Sequence, residues 1–256
     1  MAVFNNEKVI NIDYYKNYFD MKPLSLSEEA IQEYLDILNE KIDMDEGYGA
    51  KLRPVFIVLL YSDSDFDHKA EKFVKNQTYW HAAMGFGPAL SKTYSFNFGE
   101  ANANKFKGGL SFESFDFYKT EHPTGTMEVS CILLGPRKYK ALKETLNYYI
   151  EHKEKTKYSF INLLYSLFGH KTPNDNRKLN LVCSTFVDTI LKSININIGH
   201  QYTNLTKPDD LKAEKHEKQF KVFEGNIVDY KPNVVARKVE KMANNENNNY
   251  FKKNKK

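Results

Sequence analysis

Residues 53–61 read RPVFIVLLY, a dense run of β-branched and apolar side chains with no polar alternation. A short run of this kind is the pattern of a buried strand. A buried strand requires neighbouring strands and packed helices to cover it, so the chain must build a layered core around this segment. The 256 residues suffice for one domain of roughly 180–200 residues plus extensions, or for two small ones, with a core that needs no disulfide staples.

The segments around that strand fall into an order. Upstream, Ser25–Ile42 has helical spacing at Ile31, Tyr34, Leu35 and Leu38, with Ser27 as a capping residue, and GYG at 47–49 closes this extension. Downstream, a polar stretch and a short helix lead to HAAMGF (81–86) and TYSFNF (93–98), read as a hairpin through Gly87 and Pro88. Lys107–Phe112 carries a Gly-Gly turn, and Met127–Leu134 is another apolar strand. From Arg137 the period becomes helical, with Tyr139, Leu142, Leu146 and Tyr149 on one stripe. Tyr158–Phe168 reads as a second helix and Leu181–Ile194 as a third, or as a strand-to-helix junction. Gln219–Val228 reads as a last strand. Strands followed by helices predict an α+β domain over 51–230, behind a helical N-terminal extension (1–50) and ahead of a polar, disordered tail (231–256).

Charge and cysteine usage narrow the function classes. Thirty-seven basic residues against 33 acidic ones leave +4, and Lys252, Lys253, Lys255 and Lys256 supply much of that excess at the end of the chain. Bulk charge therefore suggests no nucleic-acid groove. No apolar run reaches the length of a transmembrane helix, and the first twenty residues lack the basic-then-apolar order of a secretory signal. Synthesis in a cytoplasm is expected. Two cysteines, Cys131 and Cys183, are too few for a disulfide scaffold or a Cys-rich zinc site, and no metal-ligand spacing or cofactor motif is evident. Cys131 lies in the apolar MEVSCILL run and reads as a buried, inert thiol.

Cys183 stands apart. VCSTFVD places it where an apolar helical stripe begins (Phe186, Val187, Ile190, Leu191), after the polar loop KTPNDNRK. A helix start is one place where a thiol is activated, although a small apolar residue packed at a helix start has the same local pattern. A thiolate mechanism needs a base, normally histidine. Of seven histidines, His68, His152, His170, His200 and His216 lie in charged or loop-like contexts and His122 sits in the loop EHPTG. His81 instead opens a strand after Tyr79–Trp80, and Ala82–Ala83 behind it leave room for substrate or for an approaching helix.

The order YWHAAMGFG, TYSFNFG, GGLSFES, apolar strand, helices, LVCSTFVDTIL and KPDDL resembles the circularly permuted NlpC/P60 hydrolases. These are papain-like proteins with relatives among the lecithin:retinol acyltransferase-like and YiiX-like enzymes. The likeness covers roughly residues 53–212. It implies a papain-like α+β fold, with an antiparallel sheet packed against helices. It also implies a Cys183 nucleophile and a His81 base acting on an amide, peptide or ester bond, and a third polar group on the next strand, near Ser95. Asn97 shares the Ser95 face, while Glu100 and Glu113 are more distant candidates. The partners implied are a peptide or acyl substrate, such as a cell-wall peptide, and virion proteins if the chain belongs to a bacteriophage particle. The alternative is a catalytically idle structural or binding protein on the same fold.

Overall fold

A computed structural model of the chain describes residues 52–63, 68, 77–98, 108–158 and 180–253. The helix expected over 25–42, nearly all of that expected over 158–168, and most of the polar segment after Ser62 lie outside these residues, as does Glu100. The described elements are β1 (Arg53–Tyr61), β2 (His81–Gly85), β3 (Thr93–Phe98), β4 (Gly108–Glu113), α1 (Phe115–Glu121), β5 (Thr126–Leu134) and α2 (Pro136–Glu151). After them come the short strands β6 (Lys157–Tyr158) and β7 (Asn180–Leu181), then α3 (Cys183–Lys192), β8 (Gln219–Asn226) and α4 (Pro232–Lys253).

Six strands form one antiparallel sheet in the order β4-β3-β2-β1-β5-β8. β1 lies near the middle, with Val58 opposite Ala83 on one side and Val129 on the other. Its lack of polar alternation now has a cause, because both of its faces are covered. Val55, Ile57 and Leu59 enter a core shared with α2 and α3, while Phe56, Val58 and Leu60 enter a second core shared with α1 and α4. The architecture is α+β. Among the described residues, no helix is long and apolar enough to cross a membrane.

Two local expectations are corrected, and one unforeseen helix is added. Gly108 and Gly109 lie within β4 rather than in a turn. A Cβ on Gly109 would stand 2.6 Å from Thr156 Oγ1, so the glycine is there for close approach. Thr156 Oγ1 in turn accepts the Leu110 backbone N–H at 2.9 Å, which docks the entry to β6 on β4. Helix α1 was not foreseen. Ser114 caps it by accepting the Phe117 N–H at 3.1 Å.

The region beyond residue 231 is helical through Lys253 rather than disordered. Its polar composition hides Val235, Val239 and Met242, which recur at helical spacing and pack on the second core. Tyr230, just ahead, donates its hydroxyl proton to the Pro88 carbonyl and ties this region to the β2–β3 connection.

Candidate active site

Helix α3 begins at Cys183, and local sequence fixes that start. The Thr185 hydroxyl accepts the Val182 N–H at 3.0 Å and lies 3.1 Å from the Val182 carbonyl, closing the first turn. Ser184 spends its hydroxyl on the Thr206 carbonyl at 2.7 Å. Both hydroxyls are thus structural. The apolar stripe then seats the helix on the sheet, where Phe186 meets Phe96 of β3 and Tyr149 of α2 at centroid distances of 5.0 and 5.4 Å. Farther along, the wholly buried Asp188 accepts from Lys192 Nζ at 2.7 Å and from Thr206 Oγ1 at 2.8 Å, locking the following loop to the helix. Gly199 belongs to that lock, since a Cβ there would sit 2.5 Å from Asp188 Oδ1.

His81 opens β2, and the residues leading into it are held from a distance. Asp209 of the PDDL turn accepts the backbone N–H groups of Thr78 and Tyr79 at 2.9 and 2.8 Å. Lys212 donates to Thr78 Oγ1 at 2.9 Å and lies over the Tyr79 ring. The PDDL segment is therefore a clamp on the approach to the histidine. Replacing Asp209 by Ala takes the acceptor from the Tyr79 N–H, while water reaches the exposed Thr78 N–H, and the expected loss is about 1–2 kcal/mol of stability in urea unfolding. Asp209→Asn keeps one acceptor and loses about half of that.

The two candidate catalytic side chains meet. The Cys183 side chain is near enough to His81 to act on the imidazole, through its charge and through hydrogen bonding, and to help raise its pKa. The thiol also lies 3.9 Å from the Trp80 carbonyl, as donor. On its other side, His81 Nε2 lies 2.9 Å from Glu113 Oε2, with the imidazole 20% exposed and the carboxylate 3%. With Nε2 engaged by Glu113, Nδ1 is the nitrogen left for the thiol. Cys183 itself is buried, at 4% exposure.

Glu113 is the hub of the cluster. Its Oε1 accepts from Asn97 Nδ2 at 3.1 Å and stands 3.4 Å from the Ser111 hydroxyl. Its Oε2 accepts from Tyr118 at 2.7 Å as well as from His81. The sheet register explains the gathering. Thr93 faces Glu113 across β3–β4 and Ser95 faces Ser111, so alternate residues of both strands present polar groups on one face.

Burial alone would lower the His81 pKa and is the largest single influence. The Glu113 charge, with hydrogen bonding of the imidazolium to Glu113 and Cys183, outweighs it and lifts the imidazole well above its ordinary 6.5. Burial pulls Glu113 the other way, but the His81 charge and the bonds from His81, Tyr118 and Asn97 leave its carboxyl below the ordinary 4.5. A protonated imidazole beside Cys183 is the electrostatic partner a thiolate needs.

The third sequence candidate has a different place. Ser95 is fully buried and donates to the Ala82 carbonyl at 2.7 Å. β2 and β3 are in register only at Met84–Tyr94 and Gly85–Thr93, and the Ser95 hydroxyl bridges the strands beyond that point. Ser95 is thus a strand fastener, and the group on the imidazole is Glu113. Asn97 acts on Glu113 rather than on His81.

Sequence reasoning also passed over Tyr118 and Tyr158. Ser114, three residues ahead of Phe117, was the available signal for the helix that carries Tyr118. Tyr158 pairs with Leu181 in the β6–β7 ladder, just before Cys183, and its hydroxyl pKa is pushed up by burial and by the Cys183 charge.

No protein-family model matches this chain, and no curated protein and no solved structure shows significant similarity to it. Among the described residues, no three His, Cys, Asp or Glu side chains converge so as to hold a metal ion. Cys131 lies fully buried in the second core, away from these polar groups.

Proposed function

We propose that the chain is a cysteine-dependent acyl-transfer enzyme, a hydrolase or acyltransferase acting on an amide, peptide or ester bond, on a papain-like fold of the permuted NlpC/P60 type. The observation that carries this reading is the contact of Cys183 with an imidazole whose far nitrogen is held by a buried carboxylate. Nucleophile, base and orienting group in that sequence are the parts of a triad, whatever the fold that presents them.

In this mechanism the Cys183 thiol passes its proton to His81 Nδ1, and Sγ attacks the substrate carbonyl carbon. The oxyanion is received by the Cys183 backbone N–H, which as the first helical residue has no intrahelical acceptor. Collapse of the tetrahedral intermediate breaks the bond to the leaving amine or alcohol, which takes its proton from His81. Water, or an acceptor hydroxyl or amine, then gives a proton to His81 and attacks the thioester, returning free Cys183. Glu113 keeps the ring turned through Nε2–H and stabilises the imidazolium. Cell-wall peptide as the substrate and a bacteriophage particle as the setting belong to the same proposal and follow from the likeness in motif order.

The second reading, an idle structural domain, is favoured by the burial of the Cys183 side chain. Acylation separates the two. With p-nitrophenyl acetate, an acetyl group appears on Cys183 in the wild type and is lost in His81→Ala, as read by peptide mass. A thiol that acetylates no faster than free cysteine supports the idle domain.

A further inference from the structure

We propose that Tyr118 is a positioning residue of this site, its hydroxyl holding the Glu113 carboxylate as the acceptor that orients His81. The inference rests on the acyl-transfer reading above and adds to it a group outside the Cys–His–carboxylate set.

The proton inventory carries the argument. Glu113 Oε2 faces two donors, His81 Nε2 at 2.9 Å and the Tyr118 hydroxyl at 2.7 Å. Tyr118 is 1% exposed and has one proton to give. Since that proton goes to Glu113, the 2.7 Å contact between Tyr118 and Thr93 Oγ1 must have Thr93 as the donor. The result is a directed chain, Thr93 to Tyr118 to Glu113, ending on the oxygen that His81 also contacts. A short donor on Oε2 draws charge from that oxygen and disfavours passage of the His81 proton onto the carboxylate. It also fixes the carboxylate plane, since Asn97 and Ser111 hold only Oε1. Tyr118 is a lasting donor because burial and the Glu113 charge push its own pKa well above the ordinary 10.0.

Among the described residues, the titratable groups acting on this cluster are His81 from β2, Glu113 from β4, Tyr118 from α1, Tyr158 from β6 and Cys183 from α3. Removing the Tyr118 hydroxyl makes Glu113 easier to protonate, so the imidazolium loses its counter-charge at a higher pH. The imidazolium then supports the adjacent sulfur less, and its alkylation slows on the acid side of the profile.

The experiment is the rate of Cys183 alkylation by iodoacetamide from pH 5 to pH 9, read by peptide mass. The proteins compared are wild type, Tyr118→Phe, Thr93→Val and His81→Ala. In Tyr118→Phe the Thr93 hydroxyl keeps an alternative acceptor, the Glu113 carbonyl at 3.2 Å. The expected result is an acid limb moved up by about one pH unit, so that Y118F reacts roughly tenfold slower near pH 6 and matches the wild type near pH 9. Thr93→Val moves the limb in the same direction by less. A Y118F profile that superimposes on the wild type, or that falls uniformly at every pH, overturns the assignment. If circular dichroism shows that Y118F does not fold, T93V decides in the same way. Failure of the acyl-transfer reading has its own signature, a His81→Ala profile identical to the wild type.

Discussion

Replacing Glu113 by Gln is expected to remove about 3–5 kcal/mol of folding stability near pH 6, the cost of breaking a buried charge pair from one side. The carboxylate has four polar neighbours. A glutamine can offer its oxygen to Asn97 and Ser111, but its amide then faces the Tyr118 O–H and the His81 N–H, donor against donor. Turned over, it abandons Asn97 and Ser111 instead. The sign of the pH dependence follows from the two shifts. His81 is raised in the folded state, so its contribution is complete below the ordinary 6.5 and fades as pH climbs through the raised value. Glu113 is lowered, so its contribution is complete above the ordinary 4.5 and fades as pH falls through the lowered value. The wild-type advantage over E113Q is therefore largest between about pH 4.5 and 6.5 and narrows on either side, as urea unfolding across pH will show. A difference that does not vary with pH would mean the pair is not ionised.

Phe186→Ala is expected to cost about 3–5 kcal/mol, with a matching fall in the urea midpoint. Phe186 is fully buried and stands between Phe96 and Tyr149, which also meet each other edge-on at 6.2 Å. Its removal leaves a cavity lined by rings on rigid elements, where little can collapse inward. In the proposed mechanism the effect reaches the chemistry, because this ring fixes α3 against β3 and α3 carries the thiol. A shift of about 1 Å at a reacting atom is enough to lose roughly a hundredfold in rate. Phe186→Leu retains most of the volume and is expected to cost less than about 1.5 kcal/mol.

Periodicity made the sheet core legible, and it did so where side chains meet apolar neighbours. RPVFIVLLY, HAAMG, TYSFNF and the 126–134 run all lie in strands, because each has a buried face that the sequence must encode. The Cys183 helix was legible for the same reason, through Phe186, Val187, Ile190 and Leu191. Sequence offered the partner of His81 only as a distant candidate, behind Ser95 and Asn97. Glu113 lies 32 residues away, and only the β3–β4 register and the cap at Ser114 bring it and Tyr118 to the imidazole. Ser95 was attractive because it sits on the neighbouring strand, yet its hydroxyl is drawn to a carbonyl that the short β2–β3 ladder leaves open. Helix α4 was misread because its composition is dominated by solvent-facing residues, while three apolar positions suffice to dock it.

The central claim is that Cys183 and His81 act as one chemical unit. Its most direct measurement is the rate at which p-nitrophenyl acetate acetylates Cys183 at pH 7, in the wild type and in His81→Ala, with folding of both checked by circular dichroism. Loss of a positioned general base costs about 10²–10⁴ in rate, so the account predicts a fall of at least a hundredfold in the variant. Equal rates in two folded proteins would contradict it and leave Cys183 a buried residue at a helix start.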